Sequence, residues 1–270
     1  MKKYKLFNEG LRSTFGNYVA AVGLNKAENE YMGLCYADGK KIMDYYLDHG
    51  ILITQVVPKN KDDERPATIP EKIGEYDTPE IYISEPEIVF NKKVLKNLDQ
   101  QNGLNNLNRT SFIKDLIYYE NKEIDCGYKR NGEHNIKSFN GYESFDYLMF
   151  DKKWIESVDL EEICRYCTEI GKIDFLKYIN EKVNNIDLTE TVIEGLKQNN
   201  LDVVNYVVES EKHYSPISVA LNPVSNIYDK LRMSLQVLKH PIKSYKEIEY
   251  NKETEYYRHV PERRDYDIRR

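Results

Sequence analysis

The sequence lacks any long apolar run, and its longest strand-like apolar patch extends only from Ile51 to Val57. A membrane helix needs about 20 apolar residues in succession, so we expect no membrane-spanning segment. Residues Met1 to Gly10 are polar and contain no apolar core, so we also expect no signal peptide. The four cysteines are therefore predicted to be reduced thiols in a cytosolic compartment.

Motifs that bind phosphate or metal ions are also missing. The chain has neither a Gly-rich phosphate-binding loop nor a His-Glu-x-x-His segment. Cys164 and Cys167 form one close pair, but a zinc site needs four ligands and no second pair follows, so both are predicted to be structural. The five histidines show no ligand spacing and no paired nucleophile. We expect no metal site and no cofactor.

Excess positive charge is absent, because the formal net charge is −6. Nucleic-acid binding needs a basic surface, so we do not expect it. Alanine and glycine are sparse and tryptophan occurs once, at Trp154, whereas there are 23 tyrosines. The abundance of Lys, Asn, Ile and Tyr is typical of an AT-rich genome. A hydrophobic content of 40% is enough for a buried core in a chain of 270 residues.

The pattern along the chain predicts an α+β protein in three parts. Residues 1–100 read as a small mixed α/β domain, and an Asn/Gln-rich stretch precedes an α-helical region over residues 109–240. Residues 241–270 are a charge-dense tail. The predicted strands are Tyr4–Phe7, Tyr18–Val22, Gly33–Ala37, Ile51–Val57, Glu80–Ser84 and Glu87–Asn91, and the predicted helices outside the repeats are Lys40–Leu47, Val94–Leu98, Ser111–Tyr119 (capped by Ser111) and Asn226–Leu238. Lys59–Pro79 and the polar segment Lys122–Lys137 are predicted to be loops.

One pattern occurs three times at a constant interval, which is typical of stacked repeats. Each copy has an apolar residue, an aspartate, two apolar residues, a variable residue and an aromatic. The copies are Glu143–Phe150, Gly171–Tyr178 and Asn199–Tyr206. The first copy is the weakest, because Phe139 stands where the other copies have a small residue.

The two later copies predict two helix pairs, each joined by a tight turn. The predicted helices are Leu160–Glu169, Ile173–Lys182, Glu190–Gln198 and Leu201–Glu209. Gly171 and Asn199 tolerate the left-handed backbone of such a turn, and Asp174 and Asp202 then lie in the first turn of a helix, where a carboxylate is favourable. The small residues Cys167 and Gly195 are predicted to let neighbouring pairs approach closely, and the aromatics Tyr178 and Tyr206 complete the repeat.

The repeated sequence pattern resembles that of ankyrin repeats. Residues 167–179 follow the family pattern closely, and residues 195–207 follow it with Asn199-Asn200 in place of Gly-His. The interval from Asp174 to Asp202 is shorter than the family's repeat of about 33 residues, and the Thr-Pro-Leu-His opening is missing. The resemblance implies degenerate ankyrin-type helical hairpins that bind another protein.

A second resemblance covers residues 1–100. The series Gly33-Leu-Cys-Tyr-Ala-Asp38, Tyr45-Tyr46 and Gly50–Val57 resembles a leader domain of ankyrin-repeat proteins from giant amoeba viruses of the mimivirus type. This resemblance implies a viral protein located in the cytoplasm of the infected host cell, or packaged in the virion.

The same segment also resembles the ADP-ribosyltransferase core. That resemblance implies NAD as the cofactor, Cys35 in place of a strand tyrosine, Tyr46 stacking on nicotinamide, and Glu80 as the catalytic carboxylate. Cys35 departs from the family tyrosine, and Tyr4–Gly10 lacks the His or Arg that holds the ribose.

Two main functions therefore remain open from the sequence. The first is a protein without catalytic residues that binds an unidentified host or viral protein, with contacts on the turn side near Gly171 and Asn199 and in the loop Lys122–Lys137. The second is a diverged NAD-dependent ADP-ribosyltransferase-like enzyme. A purely structural role in the virion is a third reading, which the sequence does not separate from the first.

Overall fold

The computed structural model describes residues 2–14, 18–27, 33–48, 50–66, 74–129, 131–209, 214, 215 and 219. It contains both helices and antiparallel strands, so the protein is of the α+β class. The chain divides into two compact units, Met1–Val158 and Asp159–Arg270. The division thus falls at Val158, whereas the sequence indicated a boundary near residue 100. The helix expected at Asn226–Leu238 and the tail 241–270 lie outside the described residues.

An antiparallel sheet forms the centre of the first unit. Its strands are β1 (Lys3–Asn8), β2 (Arg12–Ser13), β3 (Gly23–Lys26), β4 (Tyr36–Asp38), β5 (Leu52–Pro58), β6 (Arg65–Pro66), β7 (Glu75–Asp77), β8 (Glu80–Ile83) and β9 (Glu87–Ile88). The strand order is β3-β8-β5-β1-β4-β7-β6, with β2 paired to β1 and β9 paired to β5. All pairings between these strands are antiparallel.

The β-rich runs of the sequence form the middle of this sheet. The predicted strands Tyr4–Phe7, Ile51–Val57 and Glu80–Ser84 are confirmed as β1, β5 and β8. Three of the strand and loop expectations in this unit hold only in part. The strand predicted at Glu87–Asn91 ends at Ile88. The strand predicted at Gly33–Ala37 begins later, at Tyr36, and the predicted loop Lys59–Pro79 contains the short strands β6 and β7.

The strand predicted at Tyr18–Val22 is wrong. Only Val19 forms an isolated bridge, to Arg12, and the strand starts at Gly23. The side chain of Asn25 explains the shift, because its Oδ1 accepts from the Ala21 amide at 2.9 Å and its Nδ2 donates to the Ala21 carbonyl at 2.7 Å. These bonds hold the preceding residues in a turn instead of a strand.

The described α-helices that accompany the sheet in the first unit are α1 (Lys92–Asp99), α2 (Arg109–Tyr119) and α3 (Gly141–Asp146). The helix predicted at Val94–Leu98 is confirmed as α1. The cap predicted for α2 is wrong, because Asn108 and not Ser111 is its N-cap. The Asn108 Oδ1 accepts from the Ser111 amide at 3.1 Å, so the helix begins two residues earlier.

The predicted helix at Lys40–Leu47 is a 3-10 helix, Ile42–Asp48, and it contributes Tyr46 to an aromatic core. The ring of Tyr46 lies edge-on to Phe112 and to Phe90, with ring centroids 4.9 and 6.1 Å apart. Trp154, the single tryptophan, lies edge-on to Phe112 at 6.0 Å. This cluster is buried.

The segment Lys122–Lys137 is not a loop, and that expectation is wrong. It forms a hairpin of β10 (Ile124–Tyr128) and β11 (His134–Lys137). One face of the hairpin is buried through Ile124 and Cys126. Gly127 has a φ of +78°, and a Cβ at this position would lie 3.2 Å from Leu11 Cδ1. The contact that stabilises the hairpin thus joins residues more than one hundred positions apart, and a short polar pattern does not report it.

The first copy of the repeat, Glu143–Phe150, is also wrong as a helix pair. The residues that would form its first helix belong to β11, and Asp146 is the last residue of α3 instead of lying in a first turn. A π-helical turn, Tyr147–Asp151, follows directly.

The described helices of the second unit are α4 (Leu160–Glu169), α5 (Ile173–Lys182), α6 (Thr189–Lys197) and α7 (Leu201–Glu209). The predictions for α4, α5 and α7 are confirmed, and α6 lies one residue earlier than predicted. Helix α4 packs against α5 and α6, and α6 packs against α7. Two helix pairs therefore share one core.

We call the sequence separation between Asp174 and Asp202 the repeat interval. Residues one repeat interval apart in the two helix pairs are buried to a similar extent. Each member of the first pair and its counterpart in the second are fully or almost fully buried: Ile163 and Thr191, Cys164 and Val192, Cys167 and Gly195, Phe175 and Val203, Leu176 and Val204, Ile179 and Val207. Aspartates one repeat interval apart also precede the first helix of each pair, but their bonds differ. Asp159 is the N-cap of α4, and its Oδ1 accepts from the Glu162 amide at 2.9 Å. Asp187 precedes Leu188, the N-cap of α6, and its Oδ1 accepts from the Thr189 amide at 2.9 Å. Val219, one repeat interval after Thr191, is also fully buried.

Candidate functional site

The turn that joins the two helices of each pair is the best-defined feature of the second unit. In the first pair, Gly171 has a φ of +73°, its amide donates to the Thr168 carbonyl at 3.2 Å, and the Lys172 amide donates to the Cys167 carbonyl at 2.7 Å. These two bonds and the left-handed residue define a Schellman motif.

The second pair repeats this turn bond for bond. Asn199 has a φ of +54°, its amide donates to the Leu196 carbonyl at 3.2 Å, and the Asn200 amide donates to the Gly195 carbonyl at 2.7 Å. The predicted turn residues Gly171 and Asn199 therefore occupy the same place in two equivalent turns.

Gly195, the small residue before the second turn, has a different role from the one expected. A Cβ on Gly195 would lie 3.1 Å from Val204 Cγ2 and 3.5 Å from Val203 Cγ1. The close approach at Gly195 is thus between α6 and α7 within one pair, and an added Cβ would require Val204 to give way by a few tenths of an ångström.

Apolar and acidic side chains follow each turn at matching positions. Asp174 and Asp202 lie in the first turn of α5 and α7, as predicted, and both are exposed. Leu201 is 43% exposed, and its counterpart Ile173 is half-buried. No described atom lies within 4 Å of a Cβ built on Gly171. The surface around the two turns, which we call the turn side of the second unit, therefore presents an apolar side chain beside a carboxylate in each pair.

The repeat aromatics Tyr178 and Tyr206 are half-buried on the second helices. The Lys182 ammonium lies 5.2 Å from the Tyr178 ring centroid, and the Lys177 ammonium lies 5.7 Å from that of Tyr206. Burial, followed by the nearby Glu181 carboxylate, raises the pKa of Tyr206. Because each aromatic lies at a distance suitable for a cation–π contact with a lysine, these residues contribute to packing along the second helices.

The close cysteine pair lies in the core of α4. Cys164 and Cys167 are fully buried, and burial raises the pKa of the Cys164 thiol to about 12. A buried, protonated thiol is neither a good metal ligand nor a nucleophile. Among the described residues, no group of three or more His, Cys, Asp and Glu side chains is placed to hold a metal ion.

The residues implied by the transferase resemblance lie at separate places in the first unit. Glu80 begins β8, and its two carboxylate oxygens accept from Lys26 at 2.8 Å and Lys59 at 2.6 Å. These hydrogen bonds lower the pKa of Glu80. Cys35 is exposed and directly precedes β4. Strands β8 and β4 are three positions apart in the sheet, which corresponds to about 14 Å.

Tyr46 is 5% exposed and is held inside the aromatic core. Its hydroxyl donates to Asp115 Oδ2 at 2.8 Å, and burial, followed by the Asp115 charge, raises its pKa above the ordinary range. A ring packed in this way presents no free face to a nicotinamide. The structure therefore does not bring Cys35, Tyr46 and Glu80 together around a common cleft.

The outer face of the hairpin β10–β11 carries a group of residues that the sequence analysis missed. His134 Nδ1 lies 3.2 Å from Asp125 Oδ1, and the Tyr128 ring lies 4.8 Å from the His134 ring. Tyr128 is 64% exposed, and the side chain of Ile136, opposite Asp125, is also exposed. Local sequence gives no clear signal for this group, because a register shift between Asp125 and Tyr128 interrupts the alternation along the hairpin.

No family model, curated protein or solved structure matches this chain. Within the described part of the chain, none of the helices has the length and hydropathy needed to span a bilayer.

Proposed function

We propose that this chain is a non-enzymatic protein of a giant amoeba virus that binds a host or viral protein through degenerate ankyrin-type repeats. The observation that carries the proposal is the matched turn side of the second unit. At two positions separated by one repeat interval, an apolar side chain follows a Schellman turn and precedes an exposed aspartate. Repeated surface positions of this kind are what a stacked-repeat protein offers to a partner.

The helix pairs support the ankyrin-type part of the proposal. Each pair has a short first helix, a left-handed turn residue, a second helix with aspartate in its first turn, and a shared buried pattern. Cys167 and Gly195 stand at the small position of the family phrase. The shortened repeat interval leaves only a brief connection between α5 and α6, where the family has a longer finger.

The negative charge of the second unit indicates which kind of partner would bind to it. Residues 159–209 contain eleven Asp and Glu and five Lys and Arg, so this segment alone accounts for the net charge of −6 of the whole chain. A partner with Lys or Arg around an apolar contact would be attracted to it, since complementary charge raises association rates and improves specificity. Leu201 supplies the apolar contact, and Asp202 and Asp174 supply nearby charge.

The test is affinity capture of the partner from infected host cells, followed by binding measurements with the purified partner. We expect Leu201→Asp to weaken binding about 10-fold or more, because it places a charge where an apolar contact is needed. Asn184→Asp is the matched control, since it adds the same carboxylate to the exposed connection at the other end of α5.

Equal binding by wild type and Leu201→Asp would contradict the proposed surface. The non-enzymatic part has its own test, which is incubation of the purified protein with NAD. Release of nicotinamide that the Glu80→Ala variant abolishes would contradict it.

A further inference from the structure

A row of exposed apolar side chains crosses one end of the sheet. Leu24 of β3 lies directly opposite Tyr82 of β8, and Tyr82 lies directly opposite Val57 of β5. Directly paired residues in antiparallel strands point to the same face. The three side chains are 40%, 46% and 48% exposed, so they form one continuous apolar row across three strands.

Single exposed apolar residues are ordinary on protein surfaces, but contiguous ones indicate an interaction site. Over β1 and β4 the same face is covered. Leu6 of β1, Ile53 of β5 and Ala37 of β4 face the same way by register and alternation, and all three are buried. The sheet is therefore packed over β1 and β4 and open to solvent over β3, β8 and the end of β5.

Charges of opposite sign lie on the two sides of the row. On one side, Lys26 and Lys59 both bind the carboxylate of Glu80, and their side chains remain 67% and 44% exposed, which leaves an excess of positive charge. On the other side, beyond the end of β8, lie the exposed residues Glu85 and Glu87. The Lys137 ammonium lies 3.5 Å from Glu87 Oε1, so the excess negative charge on this side comes from Glu85. The order along the strands is thus basic, apolar, acidic.

We propose that this face binds a second copy of the same chain, with a two-fold axis running along the apolar row. An isologous interface requires a surface that is complementary to itself. Rotation about that axis brings Leu24, Tyr82 and Val57 against their own copies. It also places the Lys26 and Lys59 side of one copy over the Glu85 and Glu87 side of the other. The proposal concerns the first unit and does not depend on the function proposed for the repeats.

The test is sedimentation velocity of the full chain over a concentration series from roughly 1 to 100 µM, the range expected for a small interface. We expect a concentration-dependent shift from monomer to dimer. Tyr82→Lys should weaken dimerisation roughly 100-fold, because each dimer loses two tyrosines. Tyr118→Lys, which replaces another exposed tyrosine on α2, is the matched control and should leave dimerisation unchanged.

Two charge-reversed variants test the register of the interface. K26E/K59E and E85K/E87K should each remain monomeric, since like charges then face each other, and an equimolar mixture should form a heterodimer. Circular dichroism verifies that each variant is folded. Wild-type protein that stays monomeric throughout the series, or dimerisation that Tyr82→Lys does not change, would overturn the proposal. A mixture that fails to associate would overturn the two-fold arrangement.

Discussion

Tyrosine hydroxyls that donate to carboxylates recur in the first unit. Tyr46 donates to Asp115 at 2.8 Å, Tyr147 to Asp99 at 2.9 Å, and Tyr36 to Glu64 at 2.8 Å. The abundance of tyrosine is readable from the sequence, where it indicates only a compositional bias. The structure gives these residues a physical role, because a buried hydroxyl needs a partner and an ionised acceptor makes the stronger bond.

Replacing Tyr46 with phenylalanine tests this role. The change keeps the ring contacts with Phe90 and Phe112 but removes the bond to Asp115. We expect the free energy of unfolding to fall by about 1–3 kcal/mol, as for a hydrogen bond to a charged group. Urea denaturation measures this loss, with Tyr118→Phe, at an exposed position of α2, as the control. A loss no larger than that of the control would show that the bond contributes nothing to stability.

Thr191 differs from these tyrosines, because its buried hydroxyl has no hydrogen-bond partner among the described residues. Its counterpart in the first pair is Ile163, so the position favours an apolar side chain. Thr191→Val should raise the free energy of unfolding by about 1 kcal/mol, since a buried hydroxyl without a partner is costly. Thr168→Val is the control, because Thr168 Oγ1 donates to the Cys164 carbonyl at 3.3 Å. Thermal melting that shows Thr191→Val destabilised would contradict the expectation.

At the scale of elements, the helices of the second unit were the most predictable part of the chain. Their apolar positions recur at helical spacing, and left-handed turn residues end α4 and α6, so local sequence carries the information. The hairpin β10–β11 and the failed first copy of the repeat were missed for one reason. Both depend on contacts with distant residues, such as Leu11 against Gly127, and a local pattern does not contain them.

The two turns give an element-scale prediction. Gly171→Ala should lower the free energy of unfolding by about 1–2 kcal/mol through backbone conformation alone, because no described atom is near the added Cβ. Asn199→Gly, the reciprocal change at the equivalent turn, should be neutral or stabilising by a few tenths of a kcal/mol. Chemical denaturation of both variants provides the comparison. Identical stability of Gly171→Ala and wild type would mean that the turn does not require a left-handed residue.

For the molecule as a whole, buried thiols and phenols predict loss of stability in alkali. Burial raises the pKa of Cys126 to about 11 and of Cys164 to about 12, from an ordinary value of 9.0. Between pH 9 and these values the unfolded chain releases protons that the folded chain keeps. The free energy of unfolding therefore falls as pH rises, by about 1 kcal/mol per thiol at pH 10.

Urea denaturation at pH 7.5 and pH 10 measures this fall. The same denaturation midpoint at both pH values would contradict the burial of these thiols.

The turn residues and helix-end aspartates of the candidate site were predictable from the sequence, but the exposure of its apolar side chain was not. Gly171, Asn199, Asp174 and Asp202 were placed correctly from the sequence, since each belongs to a local helix-end signal. The outward position of Leu201 was not predictable, because an apolar residue at helical spacing is ordinarily buried. The exposed apolar row on the sheet also escaped prediction, since it requires the pairing of three strands that are distant in sequence.

Hydrogen exchange of the chain alone and in complex with its captured partner tests the central claim, that the turn side of the helix pairs is the binding surface. The account predicts slower exchange on binding at residues 170–174 and at 198–202 together, because the two turns are equivalent. It predicts no change at residues 183–187, at the other end of the pairs. Protection confined to residues 183–187 or to the first unit would contradict it.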